Sequence, residues 1–150
     1  MDDIYEYLKL DHRNVEKIFK LYSNATTDRN KLEIVAMLNK ELTVHAVSEE
    51  DTFYKILEHH KESKKEALHG EHEHQKIKDK LSELMNITQV NKQLDEKVQQ
   101  LKELVEHHVS DEEGKIFGEA KDVISKEEAH NLKLQMHDLK GKIILKEFPE

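Results

Sequence analysis

Apolar residues recur along this chain at intervals of three and four, the spacing that lines one face of an α-helix. Four such stripes stand out. The first is Tyr5, Leu8, His12, Val15, Phe19 and Tyr22, and the second is Val35, Leu38, Leu42, His45, Glu49, Phe53 and Ile56. The third is Ala67, Gly70, His74, Ile77, Leu81 and Leu84, and the fourth is Leu94, Val98, Leu101, Val105, His108, Glu112 and Ile116. The pattern predicts long helices over about 3–22, 29–59, 64–85 and 90–120. A fifth helix over about 126–145 opens with Ser125-Lys126-Glu127-Glu128, which has the spacing of a capping box. Its stripe of Ala129, Leu132, Met136, Leu139 and Ile143 is narrower.

Short polar connections between long helices favour antiparallel neighbours. The expected fold is all-α: an antiparallel up-down-up-down four-helix bundle over about 4–120, with a short extra C-terminal helix packed on its outside. A single domain covering 1–150 is expected, and no internal repeat or low-complexity linker is read in the sequence.

Composition narrows the function. Hydrophobic residues make up 36% and charged residues 37%, which suits helices with one buried stripe and three wet faces. The charge of −8, from 32 acidic and 24 basic residues, argues against nucleic acid or an anionic membrane as the main partner. The absence of cysteine excludes disulfides, zinc-thiolate sites and iron–sulfur clusters. The acidic start Met1-Asp2-Asp3 has no apolar signal region and no run approaches a membrane span, so a cytoplasmic protein is expected.

The chain has 11 histidines, and four of them are placed. Each stripe is apolar except near its middle, where it carries one histidine: His12, His45, His74 or His108. Two stripes add a glutamate one turn later, Glu49 and Glu112. In an antiparallel bundle these middles share one level, so six ionisable groups converge in an apolar core. That is costly unless something pairs them. A metal cluster satisfies them all, with neutral imidazoles donating nitrogen and carboxylates supplying charge. Two bridging glutamates with terminal histidines suit a pair of iron or manganese ions, and zinc can take the same donors. The remaining histidines are off the stripes. His107 points about 100° from His108; His59, His60, His130 and His137 lie off-stripe or near helix ends, and His69 and His72 flank the third stripe. All are read as solvated, with His69 able to approach the site only through a local distortion of its helix.

Four segments resemble the hemerythrin-like HHE cation-binding domains. They are Asp11-His12-Arg13, His45-Ala46-Val47-Ser48-Glu49-Glu50 with Phe53-Tyr54, Glu73-His74-Gln75-Lys76-Ile77-Lys78, and His107-His108-Val109-Ser110-Asp111-Glu112-Glu113 with Ile116-Phe117. The resemblance covers about 4–120. It implies a non-haem site of two iron ions, oxo- or hydroxo-bridged, with His12, His45, Glu49, His74, His108 and Glu112 as metal ligands. It also implies an open position for dioxygen, nitric oxide or peroxide. One departure bears on the chemistry: oxygen-carrying hemerythrins have a further histidine where this chain has Gly70. Gly70 is expected to open space near the metals, filled by water or by another donor such as His69.

Three functions follow as expectations. The first is a di-iron protein that binds or senses a small ligand or iron status, working with a separate protein partner. The second is a di-iron oxidase or peroxide-removing enzyme. The third is a structural helical interaction module.

Overall fold

The computed structural model describes residues 2–149. Its helices are α1 (Ile4–Asn24), α2 (Asp28–Glu49), α3 (Lys55–Glu58), α4 (Lys64–Met85), α5 (Lys92–Asp111), α6 (Phe117–Val123) and α7 (Lys126–Glu147). Two π-helical turns, π1 (Glu50–Tyr54) and π2 (Glu112–Ile116), run α2 into α3 and α5 into α6. The seven helices therefore form five rods, the four of the expected bundle and one more. Side-chain oxygens cap the starts: Asp3 accepts from the Glu6 amide, Thr27 from Asn30 and Asn91 from Leu94. Ser125 and Glu128 form the expected reciprocal capping box. Each such cap contributes about 1 kcal/mol.

The π turns depart from the regular helices expected at these places, and they shift the apolar phase. A regular stripe puts Phe53 and Ile56 inward. In the structure Phe53 and Tyr54 are both fully buried, and beyond π1 it is Leu57, not Ile56, that enters the core. One extra residue in the turn advances the inward face by one position. Such turns occur often at functional sites.

The core is split in two. Ile4, Leu8, Phe53, Leu57, Ile116 and Phe117 build one apolar cluster. Val15, Leu38, Leu42, Ile77, Leu81 and Leu101 belong to the other. The histidine and glutamate positions fall between them along every stripe, as His12 does between Leu8 and Val15.

The C-terminal helix is more than an external accessory. α7 packs on α1, α2 and π1, and its Ala129, Leu132 and Met136 complete the first cluster. Among the described residues, no helix is long and apolar enough to cross a membrane.

Candidate metal centre

All six residues singled out in the sequence come together in the layer between the clusters. His12, His45, Glu49, His74, His108 and Glu112 are each at most 8% exposed. α1 carries His12, α2 carries His45 and Glu49, α4 carries His74, α5 carries His108, and π2 begins at Glu112. Two overlapping groups have the donor spacing of a metal site: Glu49, His74, His108 and Glu112 form one, and His12, His45 and Glu112 the other.

The two glutamates each reach across helices. Glu49 Oε1 lies 3.4 Å from His45 Nε2 and 3.1 Å from His74 Nε2. Glu112 lies 3.1 Å from His12 Nε2 and 3.3 Å from His108 Nε2. These pairs are close but not aligned as hydrogen bonds. All four imidazole Nε2 atoms, both oxygens of Glu49 and Oε1 of Glu112 are buried without a hydrogen-bond partner. Buried polar atoms left this way are costly, and a cation at the centre satisfies all of them together. The donor chemistry therefore fits a bound metal.

The outward Nδ1 atoms are all engaged. His45 donates to Asp11 (2.8 Å), His108 to Glu73 (2.9 Å), His12 to Glu113 (2.7 Å) and His74 to Glu50 (3.2 Å). This fixes each ring so that Nε2 faces inward, the arrangement that orients histidine ligands. Lys140 of α7 binds Asp11, and Lys78 binds Glu50 (3.1 Å). The C-terminal helix thus steadies the partner of His45.

The arrangement repeats, although no repeat was read from the sequence. Asp11-His12 on α1 and His45, Glu49 and Glu50 beyond it correspond to Glu73-His74 on α4 and His108, Glu112 and Glu113 beyond it. In each half the residue before the first histidine holds the second histidine, and the second glutamate of each pair holds a histidine of the other half. Each π turn falls at its Glu-Glu pair. Sequence reasoning missed Asp11, Glu50, Glu73 and Glu113. The available signal was an acid-histidine pair followed, 33 or 34 residues after its histidine, by a His-x-x-x-Glu-Glu segment.

Charge dominates the electrostatics of the metal-free layer. Burial alone lowers the basicity of His45 and His108. Glu49 and Asp11 for His45, and Glu112 and Glu73 for His108, overcome it and push both up to about 10. Burial pushes Glu112 up, but His108 and His12 hold it well below the usual carboxylate range.

One expectation needs correction. Gly70 does not leave open space, because the fully buried Tyr54 fills it: a Cβ on Gly70 would stand 2.6 Å from the Tyr54 hydroxyl oxygen. That hydroxyl donates to Glu112 Oε2, and the ring stacks on His74 at 5.3 Å. Tyr54 is therefore part of the site. His69, expected to be solvated, does not approach the core. Its side chain is 49% exposed and its Nε2 faces Glu73 and Asp111.

A small apolar cavity of about 20 Å³ touches the layer, lined by the four histidines with Val15, Leu42, Ala46, Ile77, Val105 and Val109. An open cleft of about 500 Å³ shares His12, Val105 and Val109 with it and leads outward past Arg13, Lys20 and Lys102.

Comparison with known proteins bears on the fold and the family. The model of the hemerythrin HHE cation-binding domain matches residues 3–120. A crystal structure of a hemerythrin HHE cation-binding domain-containing protein from Mycobacterium kansasii superposes with a TM-score of 0.82 at 23% identity, covering 100% of this chain and 96% of that one. A protein of Nostoc sp. named DNA nickase is 24% identical over 148 residues, which is 94% of this chain and 40% of that protein. The chain spans well under half the length of that relative.

Proposed function

The chain belongs to the hemerythrin HHE cation-binding family, and on that premise we propose that it holds two iron ions in its core and binds or senses dioxygen, nitric oxide or peroxide there. The observation that supports this most is the convergence of four unpartnered imidazole nitrogens and two carboxylates on one buried centre. Charge supports it as well. Asp11, Glu49, Glu50, Glu73, Glu112 and Glu113 surround the layer, and Lys78 and Lys140 offset two of them. With neutral imidazoles, four negative charges remain, which two divalent cations cancel.

His12, His45, His74 and His108 would hold the ions through Nε2, together with the carboxylates of Glu49 and Glu112. The phenol oxygen of Tyr54 is a further donor within reach of the Glu112 side. Iron bound there supplies Lewis acidity and one-electron redox chemistry. The rest falls to the protein. Asp11, Glu50, Glu73 and Glu113 orient the rings, and the two apolar clusters keep bulk water away. The small cavity takes a ligand of about the size of one water molecule, and the cleft past His12 is its way in.

A second reading, a di-iron enzyme that removes peroxide, rests on Tyr54. Its hydroxyl keeps a proton at Glu112 Oε2, beside the reacting centre. DNA chemistry is not carried over from the Nostoc relative, which is 24% identical and of which this chain spans 40%.

The assignment is tested by elemental analysis of Glu112→Ala beside the unaltered chain, with helicity followed by circular dichroism. Loss of core metal with the helices retained supports it, and unchanged metal content overturns it.

A further inference from the structure

A second cluster of donors sits outside the core on the α4–α5 face. His69 and Glu73 are one turn apart on α4, and His107 and Asp111 are one turn apart on α5. His69 Nε2 lies 3.4 Å from Glu73 Oε2 and 3.4 Å from Asp111 Oδ2. His107 Nε2 lies 3.3 Å from each of the same two oxygens. No lysine or arginine shares these carboxylates among the described residues, and the neighbouring Lys115 is engaged by Glu66 at 3.1 Å.

Glu73 supplies the independent sign of a ligand. It is only 5% exposed, and its Oε1 is taken by His108 Nδ1. Its Oε2 is buried without a hydrogen-bond partner and faces the two imidazoles. A buried carboxylate oxygen left without a donor is expensive, and a cation against it removes that cost. The spacing of His69 from Glu73 and Asp111 also suits one: donors held about 2.0–2.1 Å from a tetrahedral ion stand about 3.3–3.4 Å from each other.

We propose that His69, Glu73 and Asp111 form a surface site for a divalent transition-metal ion of the zinc or ferrous type, with His107 beside it on the same two oxygens. An imidazole and two carboxylates are an ordinary donor set for such an ion, and the exposed face leaves room for water as a further ligand. The core uses the same device in His45–Glu49 and His108–Glu112, a histidine and a carboxylate one turn apart. The outer site has its own donors except that Glu73 touches both. An ion there stands one carboxylate away from His108.

The test is a calorimetric titration of the protein as isolated with zinc chloride, with core metal measured in the same samples by elemental analysis. The unaltered chain takes up one more zinc ion than His69→Ala/His107→Ala, and one more than Asp111→Asn. Core metal content and helicity are the same in all three. Equal zinc uptake by the unaltered chain and both variants overturns the outer site, as does a loss confined to core metal with the extra zinc retained. A core that never loads iron leaves the difference of one zinc intact, so the two readings fail separately.

Discussion

The phenol of Tyr54 occupies the space that any side chain at position 70 needs. A Cβ on Gly70 meets the Tyr54 hydroxyl oxygen at 2.6 Å and its ring carbons at 2.7 and 2.9 Å. Tyr54 cannot easily swing aside. It is fully buried, stacked on His74 and bonded to Glu112. A glycine on α4 and a tyrosine on π1 are therefore a matched pair.

Gly70→Ala tests the pairing. Helix propensity favours alanine by about 0.5–1 kcal/mol, whereas overpacking a tight core costs about 1–3 kcal/mol. The clash should win, giving a net loss of about 1 kcal/mol in urea denaturation. Adding Tyr54→Leu should remove the clash, so that Gly70→Ala becomes neutral or stabilising in that background. A stabilised Gly70→Ala single variant would contradict the pairing.

The metal-free chain should weaken as the pH rises. His45 and His108 are pushed up to about 10 by Glu49 and Glu112, which outweigh burial. The folded chain then holds these protons more tightly than the unfolded chain does. Their stabilisation is full below the unfolded value of about 6.5 and is lost as the pH climbs through about 10. Urea midpoints measured in chelator should fall over that range. Metal affinity should rise over the same range, because ions displace the protons. A metal-free midpoint that increases over this window would contradict the geometry of the layer.

Asp11→Asn should lower core metal affinity by about 10–100-fold with little change in helicity, because it weakens the carboxylate that orients His45. Lys140→Met should act in the same direction but less, since Lys140 reaches the site only through Asp11. Competition with a chromophoric chelator gives both numbers. A larger effect from Lys140→Met than from Asp11→Asn would show that α7 supports the site in some other way.

Much of this was legible in the sequence. Regular 3.6-residue periodicity fixes which face of α1, α4 and α5 is buried, and so it found His12, His74 and His108. His45 and Glu49 followed because α2 is regular up to Glu49. Beyond that point the reading failed in a specific way. Tyr54 and Leu57 lie off a regular stripe and are brought inward by the extra residue of π1, which no apolar spacing announces. Asp11, Glu50, Glu73 and Glu113 each stand one residue from a predicted ligand, a position that a stripe assigns to a flank. They face a ring on a neighbouring helix, and that depends on how helices pack, not on the period of any one of them.

The outer cluster was hidden for a related reason. His69 and His107 were read one helix at a time as solvated, and each is indeed exposed. Their common partners, Glu73 and Asp111, become visible only when α4 and α5 lie side by side.

The most direct test of the central claim is iron content together with the absorption spectrum, taken after a chelator wash that strips loosely held surface ions. Two irons per chain, with near-ultraviolet bands that change when reduced protein meets air or peroxide, is the result this account predicts. Protein that retains no metal after reconstitution with ferrous iron, or retains zinc alone with no response to oxidant, would contradict it and return the four histidines to another role.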